Sequence, residues 1–133
     1  MIARFYDRRI AALVAALTAG VLKAQLIDLG QYTPDTSATG DQYLNAIPPA
    51  ARIGAPVTLG GKSQVGRVFD ATFPRFTFPA GTTIEAVVIY EDTGSEATSP
   101  LIMIDDAASG LPIGADKTYA DLTSHATYKL FRL

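Results

Sequence analysis

The chain predicts a mainly β domain: a β-sandwich or small barrel of about seven to eight short strands with one N-terminal α-helix. Three observations carry this. Apolar residues recur at helical spacing only once, near the N-terminus. From Val21 onward the apolar runs are short, alternating or β-branched, and turn residues separate them. Apolar residues make up 48% and charged residues 18% of the 133, which supports a packed core and not a disordered chain. The length fits a single domain, 1–133, with residues 1–20 as the helix and 21–133 as the β-rich body.

The helix is expected over Arg4 to Ala19. Phe5, Ile10, Leu13, Val14 and Leu17 share one stripe, while Arg4, Arg8 and three alanines lie mainly off it. Gly20 is expected to end it in a left-handed cap. The basic start and the apolar run Ile10 to Leu17 also resemble an export signal, with Arg8-Arg9 as part of a twin-arginine motif. Asp7 in the basic region, and Val21, Leu22 and Lys23 where small residues are wanted, favour the helix. The run is too short for a bilayer, which needs roughly 20 residues.

Val21 to Leu29 reads as a strand, with Leu22, Ala24 and Leu26 on one face and Lys23 and Gln25 on the other. Gly30 to Gly40 is a loop of turn residues. Asp41 to Ile47 fits one or two helical turns, stopped by Pro48-Pro49. Ala51 to Leu59 is a strand that ends at a tight turn, Gly60-Gly61-Lys62, and Ser63 to Phe69 follows. Thr72 to Phe78 alternates with aromatics on both faces, and Pro74 marks an edge or bulge. After Pro79-Ala80-Gly81, Thr83 to Tyr90 is the strongest strand; Val87, Val88 and Ile89 in a row predict burial on both faces. Pro100 to Asp105, Thr118 to Thr123 and Thr127 to Leu133 complete the set.

Thirteen acidic against eleven basic residues give a net charge of −2, so no strong field attracts nucleic acid. Without cysteine there are no disulfides and no thiolate metal sites.

Asp92-Thr93-Gly94 matches the catalytic tripeptide of aspartic proteases, and a dimer of a chain this size could supply two such aspartates. That chemistry needs two carboxylates sharing a proton in a dry cradle. Here Glu91 and Glu96 flank the turn, which points to solvent. The preferred reading is an Asx turn with Gly94 at positive φ, joining two strands. His125 is the sole histidine and has no visible triad partners. Asp105-Asp106 with Ser109 lacks the spaced oxygens of a calcium loop and reads as another turn. Gly61-Lys62-Ser63 lacks the first glycine of a phosphate loop and does not open a helix. Tyr32, Tyr43, Phe73, Phe76 and Phe78 fit core or interface better than base stacking.

Several segments taken together are similar to a family of small proteins encoded by tailed bacteriophages. They are Asp41 to Ile47, Val68 to Ala71 (Val-Phe-Asp-Ala), Glu85 to Ser95, Leu101 to Asp105, Gly110 to Pro112 and the closing Phe131 to Leu133. The similarity covers nearly the whole chain, although the alanine-rich N-terminal run departs from it. It implies a virion structural protein without catalytic residues. The expectation is therefore a capsid decoration or minor capsid (cement) protein, assembled in the host cytoplasm and located in the virion. A neck, tail or fibre-attachment protein is the alternative. A secreted β-sandwich binding module and the dimeric protease are the readings from other classes. Expected partners are further copies of the chain, a trimer among the options, and other virion proteins such as the major capsid protein. No nucleic acid, membrane, small-molecule substrate, cofactor or metal is expected. The candidate subunit interface comprises Phe5, Ile10, Leu13, Val14, Leu17, Phe73, Phe76 and Phe78.

Overall fold

The computed structural model describes residues 3–108, 110–127 and 129–133. It is mainly β and sandwich-like, with one helix near the N-terminus and no closed barrel. Helix α1 (Asp7–Leu17) leads into β1 (Leu22–Ile27). Two 3₁₀ turns, Leu44–Ala46 and Pro49–Ala51, precede β2 (Arg52–Thr58) and β3 (Gly60–Val65). Then come β4 (Val68–Thr72), β5 (Phe76–Thr77), β6 (Ala86–Glu91), β7 (Leu101–Asp105), β8 (Tyr119–Ala120) and β9 (Phe131–Arg132). The main sheet is antiparallel in the order β2-β1-β6-β7; smaller sheets are β3-β4-β9 and β5-β8.

The two middle strands of the main sheet are buried on both faces. On one face Leu22, Ala24 and Leu26 join Val87 and Ile89 under α1 and the smaller sheets. On the other, Ile27, Ala86, Val88 and Tyr90 meet Tyr32, Leu44, Ile47 and Ala51 from the long loop. The β-branched run Val87-Val88-Ile89 lies at the centre, where its alternate side chains fill both cores. Burying each contributes about 1.5–3 kcal/mol before entropy is counted.

Several expectations are corrected. The helix starts later than Arg4, at Asp7, and Thr18 is its C-cap. Gly20 is not a left-handed cap; it lies outside the positive-φ glycines and packs against the flexible Glu91 side chain. Lys62 and Gln64 of β3 bind the helix instead. The Lys62 ammonium donates to Thr18 O (3.1 Å) and Gly20 O (2.8 Å), and the Gln64 amide donates to Ala11 O (2.7 Å). A cation on the last carbonyls also complements the helix dipole. Gly60-Gly61 does not close a hairpin: at Leu59 the chain leaves the main sheet and starts the second one. Ser63 to Phe69 is two strands, not one, because Gly66 (φ 58) begins a two-residue turn between Val65 and its partner Val68. Pro49, expected as a stop, opens the second 3₁₀ turn. Pro74 cuts Thr72 to Phe78 down to Phe76–Thr77. Of the strand expected over Thr127 to Leu133, Tyr128 lies outside the described residues, as does Ser109.

Gln25, on the face opposite Leu22, Ala24 and Leu26, is buried. The register explains this. Ala24 faces Val57 and Leu26 faces Ile53, so Gly54, Ala55 and Pro56 all stand opposite Gln25. This bulge takes carbonyls out of the ladder, and the Gln25 amide donates to Ile53 O (3.0 Å) and Gly54 O (3.1 Å).

Candidate interaction surface

The turn after β6 is built as an Asx turn. Asp92 Oδ1 accepts the Gly94 N–H at 3.0 Å, and Gly94 has φ 88. Asp92 Oδ2 pairs with Lys23 Nζ at 2.9 Å. Ser99 closes the loop from inside: it accepts from Thr93 N–H (3.1 Å) and donates to Ser95 O (2.7 Å). Arg52 grips Glu96 at 2.7 and 3.1 Å while donating to Ile47 O, which ties the turn to the second core. The Lys23 ammonium, then the Gly94 N–H, hold the Asp92 carboxyl below its ordinary range. A carboxyl sharing a proton with a second aspartate is shifted the other way in one of its two steps.

Asp92→Asn keeps the Asx acceptor and removes the charge. Because the folded-state pKa of Asp92 is lowered, its contribution is present above the ordinary value of 3.8 and lost as pH falls through the lower folded value. Lys23 is raised above 10.5, mainly by its bond to Asp92, so its contribution is lost as pH climbs through that higher value. The variant is expected to melt earlier than the parent near neutral pH, and the gap should close in strong acid. Thermal melts across pH check this; a gap that persists in acid would contradict it.

Asp105 Oδ1 accepts the Ala107 N–H at 2.8 Å, a turn contact. Among the described residues no three His, Asp or Glu gather as a metal site would need. His125 Nδ1 accepts the Thr127 N–H at 3.0 Å. With Lys129, Asp105 and Ser124 it rims a cavity of about 270 Å³ floored by Phe73, Val87, Ile89, Met103 and Leu130. Tyr32, buried and donating to Asp41 at 2.6 Å, has its pKa raised first by burial and then by that carboxylate.

The expected interface residues separate into two groups. Ile10 and Val14, with Thr18, form the buried i, i+4 row, and Val14 joins the first core. Leu13 and Leu17 form the next row, about 60° round the helix, and remain 48% and 39% exposed. Phe76 and Phe78 are buried in the same core, with half-buried Phe73 at 6.2 Å from Phe76. Ile10, Val14, Phe76 and Phe78 are therefore core residues, closed to a partner, because α1 packs on β3 and β4 and β5 packs on β2. Phe5 is 73% exposed in an extended segment before α1.

Leu13 and Leu17 wall a groove of about 420 Å³ whose other side is Pro100, Leu101 and Ile102 at the start of edge strand β7, with Leu133 at one end and Glu91 at its rim. Tyr6 (89% exposed) and Val65 (81%) add apolar surface that the sequence reading missed. Tyr6 follows Phe5 and precedes the helix, and that adjacency was the available signal. Among the described residues no helix is long and apolar enough to cross a membrane. Comparison of the chain with protein-family models and with curated proteins returns no match.

Proposed function

We propose that this protein is a non-enzymatic structural component of a tailed-bacteriophage particle. It is a capsid decoration or minor capsid (cement) protein, present in several copies and bound to other virion subunits such as the major capsid protein. The observation that carries the reading is the apolar surface collected around α1: Phe5 and Tyr6 before the helix, and the Leu13–Leu17 groove against β7. No buried side-chain polar atom lacks a hydrogen bond among the described residues. Apolar surface on such a domain suits burial between subunits. The segments similar to the phage family also support it. Within them Leu44, Ile47, Phe69, Ala71 and Ala86 to Tyr90 are core side chains, which suits a shared pattern that encodes a shape.

The test is mass spectrometry of gradient-purified particles, followed by comparison of density maps from parent and deletion particles. The chain should co-purify in many copies, and its deletion should remove density from the head shell. Density lost from the neck or tail would overturn the capsid placement. Absence from purified particles would overturn the reading itself.

A further inference from the structure

Resting on that reading, we infer that copies of this chain associate head to tail: the N-terminal segment of one, Arg4 to Arg9, seats in the α1–β7 groove of the next. The two surfaces are different and complementary. The segment offers two exposed aromatic rings, Phe5 and Tyr6, among arginines, and Arg4, Arg8 and Arg9 form no ion pair among the described residues. The groove is apolar, with the Glu91 carboxylate at its rim. Glu91 has no ion-pair partner among the described residues. Exposed cations on one surface thus complement an apolar slot with a carboxylate at its edge on the other, and aromatic side chains with arginine are the residues that most often anchor interfaces.

The occupant is a second copy because the chain's own segment leaves the groove open: Phe5 and Tyr6 are 73% and 89% exposed and do not line it. Leu13 and Leu17 lie six and ten residues past Asp7, about 9 and 15 Å along the helix axis, in the direction opposite to the one in which the segment leaves the helix. Asp7 is itself held by Arg67 at 3.3 Å. A contact between unlike patches is heterologous, so it either closes into a ring or grows as a filament. Closure into a small ring suits a particle of fixed symmetry.

Sedimentation velocity on the full chain at roughly 1–100 µM, a span suited to moderate affinity, is the test. The parent should associate, more weakly at high salt. Phe5→Ser with Tyr6→Ser in one chain, or Leu17→Asp in another, should each weaken association at least tenfold while circular dichroism stays unchanged. Leu13→Asp is the second groove variant should Leu17→Asp fail to fold. Mixing an arm variant with a groove variant leaves one intact arm and one intact groove, so the mixture should stop at a heterodimer. An oligomer that both variants leave unaltered overturns the inference, as does a mixture that stays monomeric. Binding of the parent to vesicles rich in anionic lipid, without self-association, overturns it too. The variants also separate this inference from the functional reading. If arm and groove variants leave association unaltered while the parent joins particles, the inference falls and the virion role stands. If they abolish association but the parent never joins particles, the virion role falls alone.

Discussion

Phe69→Ala is expected to destabilise the fold by about 3–5 kcal/mol, the usual penalty for truncating a buried phenylalanine. Phe69 is 2% exposed on β4, within the first core, and its ring lies 5.3 Å from that of Phe131. The loss has two parts: the ring leaves a void between β4 and the main sheet, and β9 loses its side-chain anchor. Among the described residues strand β9 is held by two register pairs, Val68 with Arg132 and Phe69 with Phe131, and by flanking bonds from Leu130 N–H to Phe69 O and Leu133 N–H to Arg67 O. A small domain is stable by about 5–15 kcal/mol, so the variant loses a large share. Urea unfolding followed by far-ultraviolet circular dichroism measures it, as a lower midpoint with the slope retained. Val65→Ala, at an exposed site, should change stability by no more than about 0.5 kcal/mol. Equal midpoints for the two variants would contradict the assignment of Phe69 to the core.

Gly54→Ala should cost more than about 2 kcal/mol, and Gly94→Ala about 1 kcal/mol. Both glycines have positive φ, 71 and 88. They differ in what surrounds them. A Cβ on Gly54 would stand 2.5 Å from Thr77 O and 3.1 Å from Phe78 Cβ, whereas nothing lies within 4 Å of one on Gly94. Thr77 is paired to Tyr119 in the smallest sheet, so its carbonyl is not free to withdraw. Relief would require moving β2 and thereby breaking the Gln25 bonds to Ile53 O and Gly54 O. Denaturant midpoints of the two variants, taken side by side, decide this. Equal losses would mean that the bulge yields more easily than the geometry implies.

Local chemistry was legible where one residue type dictates one conformation. Asp92-Thr93-Gly94 is an Asx turn because an aspartate followed two positions later by a glycine has that option in any context. The β-branched run at Val87 to Ile89 sits at the centre of the main sheet for the same kind of reason. Partnership between distant segments was not legible. Nothing near Leu59 says that the chain leaves one sheet for another, since that depends on which strands pair. The burial of Gln25 has no signal until the bulge opposite it is known. The phenylalanines at 73, 76 and 78 posed the hardest case: an apolar ring carries the same signal whether it fills the core or meets a neighbour. Only the folded loop decides, and it turns Phe76 and Phe78 inward. The helix stripe failed similarly: Phe5 precedes the helix, and of the four stripe residues on it Ile10 and Val14 are buried while Leu13 and Leu17, on the next row, are left partly exposed.

Strands β1 and β6 serve two cores at once, one beneath α1 and one beneath the long loop of residues 28–51. Peeling away either layer would wet the very backbone that supports the other. Amide protons of Gln25, Val88 and Ile89 should therefore outlast all others in exchange with heavy water, and both layers should melt together.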